Sequence, residues 1–264
     1  MISYLSKFIA WYCMVLSRMR NISEKIIKPM AEKAIKLGIT PNSATLLGFC
    51  VSVVAALIIL IYPIFPYILV LSAGLILLAG YFDALDGAIA RNSHRITAFG
   101  GFLDSVLDRY SDAIMITCII FVGFPYSTLC VPWIGLVALV GSLLVSYTRA
   151  RAEAAGAKSM AVGIAERSER MIILMIVLVL QGIPEIQYTM DPLFNYTGIG
   201  MIILAVLTQI TVVQRIIAAL RKLPEAETAA MNQNKMNEEA KITELTEIVD
   251  TAVGSVKMVR EIES

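Results

Sequence analysis

The chain has 264 residues, 58% of them hydrophobic, and a mean hydropathy of +0.75. Soluble domains are nearer ~45–50% apolar, so an ordinary water-soluble globule is excluded. A net charge of +1 gives no global field for nucleic acid, and the single histidine, His94, leaves no His-based zinc site.

The first apolar stretch, residues 8–16, is shorter than the ~20 residues a membrane-spanning helix needs. Lys7 precedes it, Arg18 and Arg20 follow it, and no small-residue cleavage site lies downstream, so it reads as an interfacial helix. Residues 21–39 continue as a basic amphipathic stretch (Lys25, Lys28, Lys33, Lys36), with an interruption expected at Pro29. Six spanning candidates follow, at about 43–61, 65–91, 98–124, 131–152, 164–183 and 197–219. These runs lack the alternation of barrel strands, so the predicted class is an all-α polytopic membrane protein with six transmembrane helices. The four cysteines (Cys13, Cys50, Cys118, Cys130) are scattered in apolar surroundings without metal-site spacing and read as inert thiols. After Pro224 the chain turns polar. Its Ile242, Leu245, Val249, Ala252, Val256 and Val259 recur at helical spacing, consistent with an amphipathic or short coiled-coil helix. Three regions are expected: an interfacial segment 1–39, a six-helix domain 40–222 and a polar tail 223–264.

The turns at 62–66 and 123–125 are uncharged and the loop at 184–196 has no Lys or Arg, whereas 91–95, 149–170 and 215–222 are rich in both. These classes alternate, so the positive-inside rule places both termini in the cytoplasm, in a multi-pass protein of the cell membrane. The second span ends and the third begins on that side.

Four aspartates meet there, in the pattern Asp83-x2-Asp86-Gly87-x2-Ala90-Arg91-x8-Gly100-x3-Asp104-x3-Asp108. On helices, spacings of three and four bring side chains to one face, so two antiparallel helices can present four carboxylates to one point. Carboxylates at a bilayer edge are costly unless a cation offsets them. Oxygen ligands without His or Cys favour Mg2+ or Mn2+, and four exceed one ion's need, which points to two ions ~3.5–4 Å apart. Gly87 and Gly100 each cost ~1 kcal/mol of helix propensity against Ala and open the backbone to a ligand or a neighbouring helix. Arg91 offers a donor fork to a phosphate. A divalent-cation transporter would also place carboxylates in a membrane, but these lie near span ends, and no inverted repeat with broken helices is evident.

Residues 83–108 resemble the full signature of the CDP-alcohol phosphatidyltransferase family, and Gly38-Ile39-Thr40-Pro41-Asn42-Ser43 through Gly48 resembles the element preceding its first span. The resemblance covers roughly 38–220 and implies cleavage of a CDP-lipid pyrophosphate, transfer of the phosphatidyl-type group to an alcohol, release of CMP, and a homodimer. Carried over by position, it implies Asp83, Asp86 and Asp104 as metal ligands, with Asp108 a ligand of the second metal and general base. It implies Asp86, Gly87, Ala90 and Arg91 as CDP-lipid contacts.

Arginines also mark the cytoplasmic ends of three later spans: Arg149 in Tyr147-Thr148-Arg149-Ala150-Arg151, Arg167 in Glu166-Arg167-Ser168-Glu169-Arg170, and Arg215. Anchoring to lipid headgroups explains Lys158, Arg221 and Lys222, but anchoring gains nothing from the glutamates interleaved around Arg167. Guanidinium forks suit a dianionic phosphate. These segments resemble the family branch that uses inositol phosphate, the phosphatidylinositol phosphate synthases of actinobacteria and archaetidylinositol phosphate synthases of archaea. The resemblance implies that Arg149, Arg167 and Arg215 hold the acceptor phosphate. Glycerol 3-phosphate is the alternative acceptor, and the lipid can be CDP-archaeol or CDP-diacylglycerol.

Overall fold

The computed structural model describes residues 27–62, 64–122, 131–157, 160, 162–183 and 196–262. The interfacial helix expected at 8–16 and the loop at 184–195 lie outside these residues. The main helices among the described residues are α1 Pro41–Ile59, α2 Ile68–Asn92, α3 Ala98–Val122, α4 Val131–Ala154, α5 Arg167–Gly182 and α6 Tyr196–Ile262. Residues 27–36 are also helical, with Pro29 in the first turn among the described residues; residues 21–26 before it lie outside them. The chain divides into two compact units, Met1–Val145 with Ile164–Thr211, and Ser146–Gly163 with Val212–Ser264.

In the first unit, α1 begins at a reciprocal cap. The Ser43 N–H donates to Thr40 Oγ1 at 3.2 Å, the Thr40 N–H donates to Ser43 Oγ at 3.0 Å, and Pro41 opens the helix without needing a donor. The buried face of α1 is built mainly of small residues, Ala44, Gly48, Ser52, Ala55 and Ala56. Such a stripe lets helix backbones approach where lipid removes the hydrophobic drive between helices. At Gly48 the approach needs the missing side chain, because a Cβ there would stand 3.0 Å from Phe82 Cβ of α2. Ser72 of α2 donates to the Ala55 carbonyl at 2.7 Å and ties the two helices further along. α1 also packs on α3, and α2 on α5. Leu69, Ile76, Met115, Ile119, Leu174 and Leu178 fill the core among them.

α2 stops at His94, which adopts φ 52 and takes the left-handed position that usually falls to glycine. The N–H of Arg95 then closes onto the Ala90 carbonyl at 3.1 Å. At the far end of α5, buried Gln181 donates to Tyr62 Oη at 3.1 Å and accepts from the Thr197 N–H at 3.4 Å, so its amide is satisfied on both sides.

The second unit has its own small core of Ala152, Ala157 and Met160 with Ala218, Ala219 and Leu223 packed on it. Within it, α6 passes through Pro224, so the change to polar composition at that residue is not a break in the helix.

Among the described residues, four helical segments are long and apolar enough to cross a membrane: Pro41–Ile59, Ile68–Asn92, Pro132–Ala154 and Tyr196–Glu225. The other two of the six expected spans differ for visible reasons. α3 carries Asp104, Asp108, Arg109 and Asp112, and α5 has only 16 residues. Large apolar side chains such as Leu57, Leu77, Phe121, Val140 and Val206 are exposed, as lipid-facing residues are.

The α1–α2 contact sets a stability expectation. Gly48→Val forces branched carbons against Phe82 and should cost about 1–3 kcal/mol by overpacking. A lowered melting temperature in detergent checks it, whereas Gly74→Ala, where a Cβ would meet nothing within 4 Å, should hold the melting temperature or raise it, since alanine gains up to ~1 kcal/mol of helix propensity over glycine.

Candidate active site

All four aspartates of the pattern lie at the site, but not in equivalent places. Asp83 and Asp86 sit near the end of α2, Asp104 and Asp108 near the start of α3. Asp83, Asp104 and Asp108 each offer a carboxylate oxygen within 4.8 Å of the others. Asp86 lines the same cavity from deeper in, at 8% exposure, and its Oδ2 has no hydrogen-bond partner. Thr45 and Ser52 of α1 and Ser111 of α3 complete the polar lining.

On the next turn of α2, Gly87 and Arg91 form one surface. A Cβ on Gly87 would stand 3.3 Å from Arg91 Nη1, so the guanidinium lies back over the bare backbone. Ala90 beside it is half-buried and Arg91 is exposed. Small residue, bare backbone and exposed donor fork together are suited to an extended anionic group.

Arg167, the first residue of α5, reaches into the aspartates. Its Nη1 lies 2.8 Å from Asp83 Oδ1 and 2.8 Å from Asp108 Oδ1. Expected as a phosphate ligand, it is here the counter-charge of two carboxylates that also belong to the presumed ligand set. Arg109 adds a longer contact, 3.7 Å to Asp108 Oδ2. Arg149 and Arg215 belong to the second unit. Arg149 pairs with Glu153 at 3.1 Å, and buried Arg215 donates through Nε to the Val162 carbonyl at 2.8 Å. Of the three arginines expected to converge, Arg167 is the one in the unit that holds the aspartates.

Sequence reasoning missed a fifth acid. Asp112 is 1% exposed and pairs with Arg170, itself 3% exposed, at 2.6 Å between Oδ2 and Nη2. Ser142 of α4 donates to the same oxygen at 3.3 Å. The signal was there, since Asp112 stands four residues after Asp108 and extends the stripe of Asp104 and Asp108 by one more turn.

The donor set fits a hard divalent cation: oxygen atoms only, three close together, and a fourth buried oxygen unpartnered. The same grouping suits phosphate chemistry, in which bound charge is offset on several sides and a carboxylate is at hand for a proton.

Comparison with known proteins agrees with that chemistry. The family model described as CDP-alcohol phosphatidyltransferase matches residues 38–220. An archaetidylinositol phosphate synthase of Pyrococcus horikoshii is 38% identical over 211 residues, covering 79% of this chain and 98% of the relative. A phosphatidylinositol phosphate synthase of Mycobacteroides abscessus is 34% identical over 226 residues, covering 81% and 97%. The crystal structure of Mycobacterium tuberculosis phosphatidylinositol phosphate synthase with CDP-DAG bound superposes with a TM-score of 0.63 at 34% identity, over 75% of this chain and 94% of that one. The same enzyme in complex with manganese and citrate gives a TM-score of 0.62 over 74% and 89%. These relatives lend the transporter alternative no support. A carboxylate cluster at the ends of apolar helices, the matched pattern and relatives covered almost end to end lead to one assignment: the chain belongs to the CDP-alcohol phosphatidyltransferase family, as a multi-pass membrane transferase.

Proposed function

We propose that the chain transfers the phosphatidyl-type group of a CDP-lipid to inositol phosphate and releases CMP. The observation that carries the reading is the meeting of Arg167 with Asp83 and Asp108 at 2.8 Å, which sets a phosphate-binding cation directly beside a metal-type carboxylate cluster. A relative 98% covered by the match bears the name archaetidylinositol phosphate synthase, which favours inositol phosphate over glycerol 3-phosphate. Both acceptors are phosphate monoesters and suit the same arginines. On this reading six helices span, α3 and α5 included, with the site and both termini on the cytoplasmic side, as the alternation of basic and uncharged loops supports.

Asp83, Asp86, Asp104 and Asp108 would hold two divalent cations, Mg2+ or Mn2+, which neutralise a pyrophosphate and make CMP a better leaving group. Gly87, Ala90 and Arg91 orient the CDP moiety, Arg91 through its donor fork and Gly87 by admitting the ligand to the backbone. Asp108 takes the proton of the attacking hydroxyl on a carboxylate oxygen. Arg167, with Arg149 and Arg215, holds the acceptor phosphate so that this hydroxyl faces the bond to be cleaved.

Purified protein given CDP-lipid, Mg2+ or Mn2+ and inositol 1-phosphate should release CMP, and EDTA should abolish the release. Asp108→Asn should lower kcat by about 10²–10⁴-fold, the range of general acid–base catalysis. CMP release that survives both EDTA and Asp108→Asn would overturn the metal-dependent mechanism.

Acceptor competition separates the two phosphate monoesters. Inositol 1-phosphate should give a higher kcat/KM than glycerol 3-phosphate or unphosphorylated inositol. Arg167→Gln should raise the acceptor KM about ten- to a hundredfold, as loss of a charged hydrogen bond does, with a much smaller change in the KM for CDP-lipid. Preference for glycerol 3-phosphate would replace the acceptor and leave the transferase.

A further inference from the structure

Asp112 and Arg170 lie outside the matched pattern and outside the chemistry above, yet at 1% and 3% exposure they are buried more deeply than Asp86 at 8%. Net stability explains such a pair poorly, because apolar residues of the same volume commonly do as well or better. What the pair touches explains it better. Arg170 Nη1 donates to the Ala165 carbonyl at 3.0 Å, and the Ala165 N–H donates to Thr211 Oγ1 of α6 at 3.1 Å. The peptide groups flanking Ala165, two residues before Arg167, are therefore held from both directions. Asp112 is held in turn by Ser142 of α4. Its second oxygen, Oδ1, has no hydrogen bond and lies 3.7 Å from Arg167 Nε. Three helices thereby fix the start of α5 and the stem of the one guanidinium that bridges Asp83 and Asp108.

We infer that the Asp112–Arg170 pair is a positioning device: it sets Arg167 against Asp83 and Asp108, where the guanidinium competes with a divalent cation for the same oxygens. The inference rests on the reading of those aspartates as metal ligands. On loading, the same anchorage keeps Arg167 at the rim of the site, where the acceptor phosphate needs it.

The test is Mn2+ binding to the full chain in detergent, read from the electron paramagnetic resonance signal of free Mn2+. The variants are Arg167→Gln, the charge-balanced double variant Asp112→Leu/Arg170→Met, and the triple variant. Arg167→Gln should bind Mn2+ about tenfold more tightly, the double variant should reproduce most of that gain, and the triple should add little, the non-additivity of coupled residues. A double variant that binds Mn2+ like wild type, or whose effect adds in full to Arg167→Gln, would sink the inference. Should the double variant not fold, Asp112→Asn decides alone. Losing a nearby negative charge by itself weakens cation binding, so tighter Mn2+ binding in Asp112→Asn supports release of Arg167, and unchanged or weaker binding contradicts it. A wild type that binds no Mn2+ overturns the metal reading and the inference together. Mn2+ binding without CMP release removes only the transfer reading.

Discussion

Three carboxylates within 4.8 Å of one another cannot all stay ionised unless positive charge is placed among them. Two like charges ~4 Å apart repel by about 1 kcal/mol in water and about 4 kcal/mol at the effective dielectric of a protein surface. Three such pairs therefore set a repulsion of several kcal/mol between the end of α2 and the start of α3. Arg167 offsets part of it by meeting Asp83 and Asp108 at once. Charge balance thus bears on how α2, α3 and α5 meet at this end of the first unit, whereas apolar side chains fill its core.

That charge balance needs a frame stiff enough to hold it, and the frame is made of small residues. Ala44, Gly48, Ser52, Ala55 and Ala56 give α1 a face on which α2 lies close, so the two aspartates of α2 are carried on a helix that cannot easily tilt away. The same closeness lets Thr45 and Ser52 line the cavity without filling it. Buried at the other end of α5, Gln181 with Tyr62 and Thr197 does for the far side of the bundle what Arg167 and Arg170 do near the site. Both ends of α5 are fixed by polar contacts and its middle by Leu174 and Leu178.

Much of this was legible in the sequence, and the failures have physical causes. Apolar run length predicts five of the six helices to within a few residues and the start of the sixth, because the cost of exposing backbone to lipid leaves few other solutions. The spacing of Asp83, Asp86, Asp104 and Asp108 predicts one shared site, because helical periodicity is rigid. Pro224 marks the change to polar composition but does not end the helix, which runs through it. His94 as a helix stop is invisible because its left-handed backbone is the kind of conformation sequence reading assigns to glycine. Asp112 continues the stripe of Asp104 and Asp108, but its pairing with Arg170 joins residues 58 apart, which no local spacing encodes.

The position of Arg167 also bears on how an acceptor can be chosen. On the proposed reading this arginine has two duties, one toward the acceptor phosphate and one toward Asp83 and Asp108. A substitution that retunes the first disturbs the second, since removing a guanidinium from between two carboxylates leaves them uncompensated. Arg149, paired with Glu153, and Arg215, which donates to the Val162 carbonyl, belong to the other unit. On the proposed reading, acceptor choice and charge balance are therefore coupled at the start of α5, so a change of acceptor made through Arg167 needs another cation between Asp83 and Asp108.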